Sequence, residues 1–191
     1  MKEFIQKHKL FSFYTALMLV IVFIAIFAPW LAPGDAFTSD MSKALQAPSA
    51  QHWFGTDKLG RDVLSRIIYG TQLSLFMGVS IVVIMVSIGT VIGAVAGYFG
   101  GKVEMVLMRL ADIMLSFPGV VLAIAIAGIL GGSIVNTILA LSVVGWAKYA
   151  RLVRSMTLKV RGEEYVTAAV MMGASTWTIL RRHIIPNILP L

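Results

Sequence analysis

Three histidines, His8, His52 and His183, are the natural metal ligands of this sequence, and no two of them stand at ligand spacing. Metal sites draw closely spaced ligands from one turn or one helix face, so none is expected within this chain. No cysteine occurs among the 191 residues, which excludes thiolate sites, CxxC redox pairs and disulfide scaffolds. The nearest glycine–lysine pair, Gly101-Lys102, is followed by Val103. A phosphate-cradling P-loop needs Ser or Thr there for Mg²⁺, so this chain has no such loop. Arg109 and Asp112 fall near the inner edge of an apolar helix; intramembrane charges are often functional, but charges at that depth reach water and read as anchors. Of the eleven methionines, Met105, Met108 and Met114 recur at helical spacing and read as packing filler rather than a ligand path. The residue types that remain suggest recognition rather than catalysis. They lie in 148–182, where seven Lys/Arg and Glu163-Glu164 surround the small residues Ala168, Ala169 and Gly173. A basic amphipathic segment could rest on anionic lipid. Small residues are poor lipid anchors, however, and suit close approach by the backbone of a protein partner.

The elements that must carry this segment are set by composition. Hydrophobic residues make up 58% of the chain, charged residues 13%, and the mean hydropathy is +0.87. Soluble domains hold about 45–50% apolar and 25% charged residues, so a soluble enzyme is excluded. The apolar residues fall in blocks. Leu10 to Gly34 is uncharged and long enough for one span of about 20 residues; its length and the following Pro29-Trp30 favour an uncleaved helix over a signal peptide. Leu73 to Gly101 is a second uncharged stretch, with Gly89, Gly93 and Gly97 on one helix face where another helix can pack closely. Ile113 to Ala147 is too long for one helix, and Gly131-Gly132-Ser133 divides it. This predicts helices over roughly 105–130, kinked at Pro118, and 134–154, whose end must snorkel or run beyond the membrane surface. Four spans result, in an all-α polytopic membrane protein.

Orientation follows from the basic residues. With the N-terminus inside, segments 1–9, 100–109 and 148–182 are cytoplasmic and hold twelve of the sixteen Lys/Arg. The other four (Lys43, Lys58, Arg61, Arg66) are offset by Asp35, Asp40, Asp57 and Asp62 in the outer loop. The positive-inside rule therefore favours a cytoplasmic N-terminus, and the clustering reads as a membrane signal rather than a nucleic-acid footprint. Within 150–182, Glu163 and Glu164 mark a helix start. Tyr165, Ala168, Ala169 and Met172 fall on one face, Gly173 ends or bends the helix, and Ser175 or Thr176 caps a second short helix carrying Trp177, Leu180 and Arg181. Pro186 opens what reads as a fifth span.

Ala168-Ala169, three residues, Gly173, then nine residues to His183-Ile184-Ile185-Pro186 resembles the EAA loop of bacterial ABC-importer permeases. Gly173-Ala174-Ser175 and Arg182-His183-Ile184-Ile185-Pro186-Asn187 resemble the peptide and nickel subfamily in particular. His52–Leu75 and Leu115-Ser116-Phe117-Pro118 resemble two further motifs of that subfamily, in the same order. The motif's glutamate is replaced by Thr167. The resemblance implies a type I ABC-importer permease fold in three parts: 1–34 with the first helix, 35–72 as an extracytoplasmic loop, and 73–191 as the core. The core would hold the EAA coupling loop over about 160–187. Such permeases have about six helices, so the sequence reads as C-terminally truncated.

The resemblance also implies a function. The chain would be a plasma-membrane permease subunit for peptides, working with a homologous second permease, cytoplasmic ATP-binding-cassette ATPases and an extracytoplasmic substrate-binding protein. ATP and Mg²⁺ would be bound by the ATPase, and this chain would hold no cofactor and catalyse no reaction. Glu164, Ala168, Ala169, Gly173 and Ala174 would contact the ATPase, with Arg181 and Arg182 as charge partners. Nickel or metal-chelate import is the alternative cargo, and a non-transporting membrane fragment the alternative role. An ion-driven secondary transporter would need a mid-membrane ionisable residue, and the uncharged stretches supply none. In the outer loop, Gly55-Thr56-Asp57 and Gly60-Arg61-Asp62 read as turns pinned by Asx bonds and Arg–Asp pairs. Leu64, Ile67 and Ile68 read as an amphipathic helix entering the membrane. Contact of this loop with a binding protein is implied by the resemblance alone.

Overall fold

The computed structural model describes residues 9–188, which form helices with no strand among them. The predicted cytoplasmic tail before Lys9 and the last residues of the fifth-span reading lie outside the described residues. Helix α1 (Lys9–Ile26) carries no charge after its first residue. It is followed by the short helix α2 (Ala28–Leu31), with Pro29 in the first turn, where its missing N–H costs nothing. Phe23, Phe27 and Trp30 stack in succession with centroids 4.5 and 5.4 Å apart, an aromatic cluster of the kind that sits at the membrane–water interface.

Helix α3 (Val63–Phe99) is continuous over 37 residues. At 1.5 Å per residue it is about 55 Å long, well beyond a hydrocarbon core of about 30 Å. The amphipathic entry helix and the second span are thus one element, ending at Gly100 with φ +64°. Helix α4 (Gly101–Ser116) and helix α5 (Gly119–Leu130) follow, bent by 90° at the break between them. This corrects the expectation of one kinked helix over 105–130. Pro118 has no N–H to continue the ladder, and its ring forces Phe117 into an extended conformation (φ −93°, ψ 147°).

Helix α6 (Ile134–Arg161) begins where Gly131-Gly132-Ser133 predicted a break. The Ser133 hydroxyl accepts from the Asn136 N–H at 3.1 Å, while the Asn136 side-chain amide donates to the Leu130 and Gly131 carbonyls at 2.6 and 3.0 Å. One turn therefore satisfies both helix ends. α6 continues without a break past Lys148 and Arg151 to Arg161. By length and apolarity, α1 and α3 qualify as membrane-crossing helices, and the bent α4–α5 pair makes a third if it forms one span. α6 falls outside that criterion because its charged C-terminal half dilutes the apolar run Ile134–Ala147.

Two compact units result, Met1–Gly78 and Val79–Leu191, dividing within α3. In the second, the glycine face of α3 packs on α6. A Cβ on Gly89 would meet the Tyr149 Cβ at 2.5 Å, on Gly93 the Ala150 carbonyl at 2.5 Å, and on Gly97 the Thr157 Cβ at 2.7 Å. Only glycine permits this approach, so the stripe is the helix contact its spacing predicted. Ala111, Trp146, Ala147 and Ala150 form one buried cluster with Met108 and Met114 against it. Met105 does not join them; it is 62% exposed, which corrects its reading as filler.

Candidate functional site

The juxtamembrane segment is built as a helix, a turn and a second helix, and it starts where α6 stops. The Gly162 and Glu163 N–H groups donate to the Lys159 and Val160 carbonyls at 3.2 and 3.1 Å. Helix α7 (Glu164–Met171) then begins with Glu163 as its N-cap residue and Glu164 in its first turn, carboxylates at the positive end of the dipole. It closes on a left-handed residue. Gly173 has φ +81°, and the N–H groups of Gly173 and Ala174 return to the Val170 and Ala169 carbonyls at 3.0 and 3.1 Å. Ser175 caps helix α8 (Thr176–Ile179) by accepting from the Thr178 N–H at 3.3 Å. A widened π turn over Leu180–Ile184 leads into helix α9 (Ile185–Ile188). Pro186 explains the widening, since it cannot donate to the carbonyl four residues back and its ring would strike that group.

What holds this segment in place is apolar. Val166, Ile179, Leu180, Ile184 and Ile188 bury against Ala94 of α3 and Val153 and Val160 of α6, with Ala174 at the margin. Each such aliphatic side chain removed from water contributes roughly 1.5–3 kcal/mol, and Val166 is the one that seats α7 on this core. The periodicity-based face is corrected accordingly. Val166 and Ala169 point inward, while Tyr165, Ala168 and Met172 face out.

The candidate contact residues therefore divide. Glu164, Ala168, Gly173, Arg181 and Arg182 are exposed, and a Cβ on Gly173 would meet nothing within 4 Å. Ala169 is 3% exposed and Ala174 half-buried at the margin of the core, so both lie beneath the exposed surface. Thr167, in the place of the motif's glutamate, is exposed with its hydroxyl turned to the Glu163 carbonyl at 3.4 Å. The sequence reading did not anticipate that Met171, Met172 and Trp177 stand 83%, 81% and 68% exposed on the same short helices. No spacing signal separates these from buried residues of the same type.

Two ion pairs tie α6 to α4. Arg154 donates to Glu104, its Nε at 2.7 Å from the carboxylate oxygen, and Arg151 pairs with Asp112. The anchoring expected of Asp112 is thus to Arg151. Arg161 lies over the Tyr98 ring, 5.8 Å from its centroid, and adds a link to the end of α3.

The 35–62 loop is held by carboxylates. Asp57 accepts from the Leu59 and Arg61 N–H groups at 2.8 and 3.0 Å and pairs with Arg61 at 2.7 Å and Arg66 at 3.3 Å. Lys43 pairs with Asp40 at 3.1 Å. Asp62 does not take an arginine; buried at 2% exposure, it accepts from the Ser65 N–H at 2.8 Å and meets the His52 Nδ1 at 3.0 Å. Gly60, at φ +75°, lets the Asp40 carbonyl pass 1.8 Å from where a Cβ would stand. The Arg61 side chain, then the Arg61 and Leu59 amides, hold the Asp57 carboxyl at about 2. For Asp35 the Thr38 side chain and the Thr38 and Phe37 amides do the same, also to about 2. Burial pulls Asp62 up, but the bonds from Ser65 and His52 outweigh it and leave it lowered. Groups depressed on folding stabilise above their ordinary value of 3.8 and cease to do so as pH falls through the folded value. Hydrogen exchange at the Leu59 and Arg61 amides is therefore expected to show no loss of protection from pH 7 to about 4, after correction for intrinsic rates, and progressive loss toward about pH 2. Loss already complete by about pH 5 would show that these carboxylates do not hold the turn.

With this geometry in view, comparison with known proteins is decisive. The family described as binding-protein-dependent transport system inner membrane component matches residues 89–191, the whole of the α6–α7–α8 region. The N-terminal TM domain of oligopeptide transport permease C matches residues 5–48. The chain belongs to this transport permease family. It is 42% identical over 183 residues to a dipeptide transport system permease protein of Alkalihalophilus pseudofirmus, covering 96% of this chain and 60% of that protein. A probable D,D-dipeptide transport system permease protein of Escherichia coli is 42% identical over 174 residues (91% and 58%). A glutathione transport system permease protein of Pectobacterium atrosepticum is 41% identical over 171 residues (89% and 57%). The chain thus spans about 60% of the length of these permease relatives. As a member of the permease family with apolar helices of membrane-crossing length, it is a multi-pass inner membrane protein.

Proposed function

We propose that this chain is a permease subunit of an ATP-binding-cassette importer, lining part of a path for peptides together with a homologous second permease. The observation that carries the reading is α7. Within the region matched by the permease family, a short exposed helix is seated on an apolar core at the end of a long helix. An element so fixed transmits displacement instead of absorbing it. A push on α7 moves α6, and through Arg154–Glu104 and Arg151–Asp112 it moves α4. The push comes from cytoplasmic ATPase subunits, which bind ATP and Mg²⁺; this chain catalyses no step itself. The exposed Glu164, Ala168, Gly173, Arg181 and Arg182 form the docking surface, extended by Met171, Met172 and Trp177.

Lys/Arg distribution supports a cytoplasmic N-terminus and a cytoplasmic α7, with the 35–62 loop outside to receive a substrate-binding protein. Relatives named for dipeptides and glutathione favour peptide cargo over nickel. The test is Gly173→Val. A branched side chain at φ +81° costs about 1–2 kcal/mol and projects into the open space a partner would occupy. Co-purification of the ATPase subunits is expected to fall roughly ten-fold with membrane insertion intact. An unchanged complex from a normally inserted variant would remove the docking role.

A further inference from the structure

A groove of about 640 Å³ runs along the first turns of α3, within the Met1–Gly78 unit. Its upper wall is Arg61 and Arg66, its middle Phe37 and Tyr69, and its lower end Leu73 and Phe76. No carboxylate lines it. The two guanidinium groups share a single carboxylate, that of Asp57, outside the lining, while Asp35 turns its oxygen to the Phe37 and Thr38 amides at 2.8 and 3.0 Å. Both guanidinium groups line the groove while the nearby carboxylates do not, so its upper end presents cationic donors. Below it, Phe37 and Tyr69 meet edge to face at 4.9 Å, and Phe76 is 61% exposed where the uncharged stretch begins. Arg66 and Phe76 are ten residues apart on one helix, about 15 Å along its axis, which is about the hydrocarbon thickness of one leaflet. Cation, then aromatic ring, then open apolar surface over that length is the order in which a lipid presents phosphate, glycerol and acyl chain.

We infer that this groove is a binding site for one anionic phospholipid, its phosphate on Arg66 and Arg61 and its acyl chain against Leu73 and Phe76. Gly70 lines the groove, and a Cβ there would meet nothing within 4 Å, so the glycine leaves open the space the lipid fills. The inference needs only that α3 enters the membrane, and it holds whatever the chain transports.

The test is native mass spectrometry of the full chain released from nanodiscs containing phosphatidylglycerol and phosphatidylcholine. The chain is expected to retain one phosphatidylglycerol in preference to phosphatidylcholine. Arg66→Gln should lower that retention roughly five-fold, the effect of one surface cation on an anionic headgroup. Gly70→Leu, which fills the groove and leaves every ion pair in place, should lower it at least as much. It decides the matter if Arg66→Gln fails to fold. Arg109→Gln, on α4 and not among the residues that line the groove, should retain lipid normally. Equal retention by the native chain and Gly70→Leu, no preference over phosphatidylcholine, or full displacement by inorganic phosphate would each overturn the inference.

Discussion

Replacing Gly93 by leucine is expected to separate α3 from α6 and destabilise the Val79–Leu191 unit by at least about 3 kcal/mol, the upper range for overpacking a close contact. The new Cβ would lie 2.5 Å from the Ala150 carbonyl and 2.7 Å from the Val153 Cβ. Backbone and a branched side chain cannot yield as a flexible methionine can. Gly145 shows the contrast: a Cβ there would meet only the tip of Met85, which can swing away. Because α7 rests on Val153, Val160 and Ala94, loosening α3 from α6 also loosens the seat of the exposed helix. Unfolding in mixed micelles should show the loss, and Gly78→Leu, on the same helix but facing open space, should change stability by less than about 0.5 kcal/mol. Equal stability of the two variants would mean that the glycine face is not the helix contact.

The second large effect is expected at Asp62. Its carboxylate accepts from the Ser65 N–H and meets the His52 ring, while the Ser65 hydroxyl accepts from the Gly34 N–H at 2.9 Å. Asp62→Ala leaves buried donors without an acceptor, at roughly 1–3 kcal/mol each, and should open the 34–62 loop to protease at neutral pH. Asp62→Asn keeps an acceptor oxygen and should recover more than half of the resistance. His52→Ala removes one partner of the Asp62 carboxylate and should cost about 1 kcal/mol. If Asp62→Ala is as resistant as the native chain, the loop is held by Asp57 and the glycine turns alone.

The parts of this fold legible in the sequence were those written in backbone chemistry. Gly131-Gly132-Ser133 marked a helix boundary because glycine and a capping hydroxyl act locally, and Gly173 and Ser175 marked the turn between α7 and α8 for the same reason. The glycine period on α3 foretold a close contact but not its partner. Pro118 was visible as a disruption, yet its size was not: whether a proline kinks a helix or divides it by 90° depends on whether neighbours satisfy the freed carbonyls. Burial was the least legible. Tyr165, Ala168 and Met172 share helical spacing with the true inner residues Val166 and Ala169, and an eight-residue helix is too short for periodicity to choose between faces. Likewise the pairing of Asp62 with His52 instead of an arginine depends on a turn that brings residue 52 back to the head of α3. The family resemblance pointed to residues between Glu164 and Arg182, and packing then set which of them are exposed.

The most direct test of the permease reading uses the absence of cysteine. Met172→Cys introduces a single, highly exposed thiol on the turn after α7, and Ile129→Cys places one at 86% exposure near the far end of α5. Thiol cross-linking in native membranes is expected to join the Met172→Cys chain to an ATP-binding-cassette ATPase subunit, with a yield that changes when ATP is added, and to give no such adduct from Ile129→Cys. No adduct at Met172→Cys, or the same adduct from both positions, would contradict a coupling role for α7 and with it the proposed function.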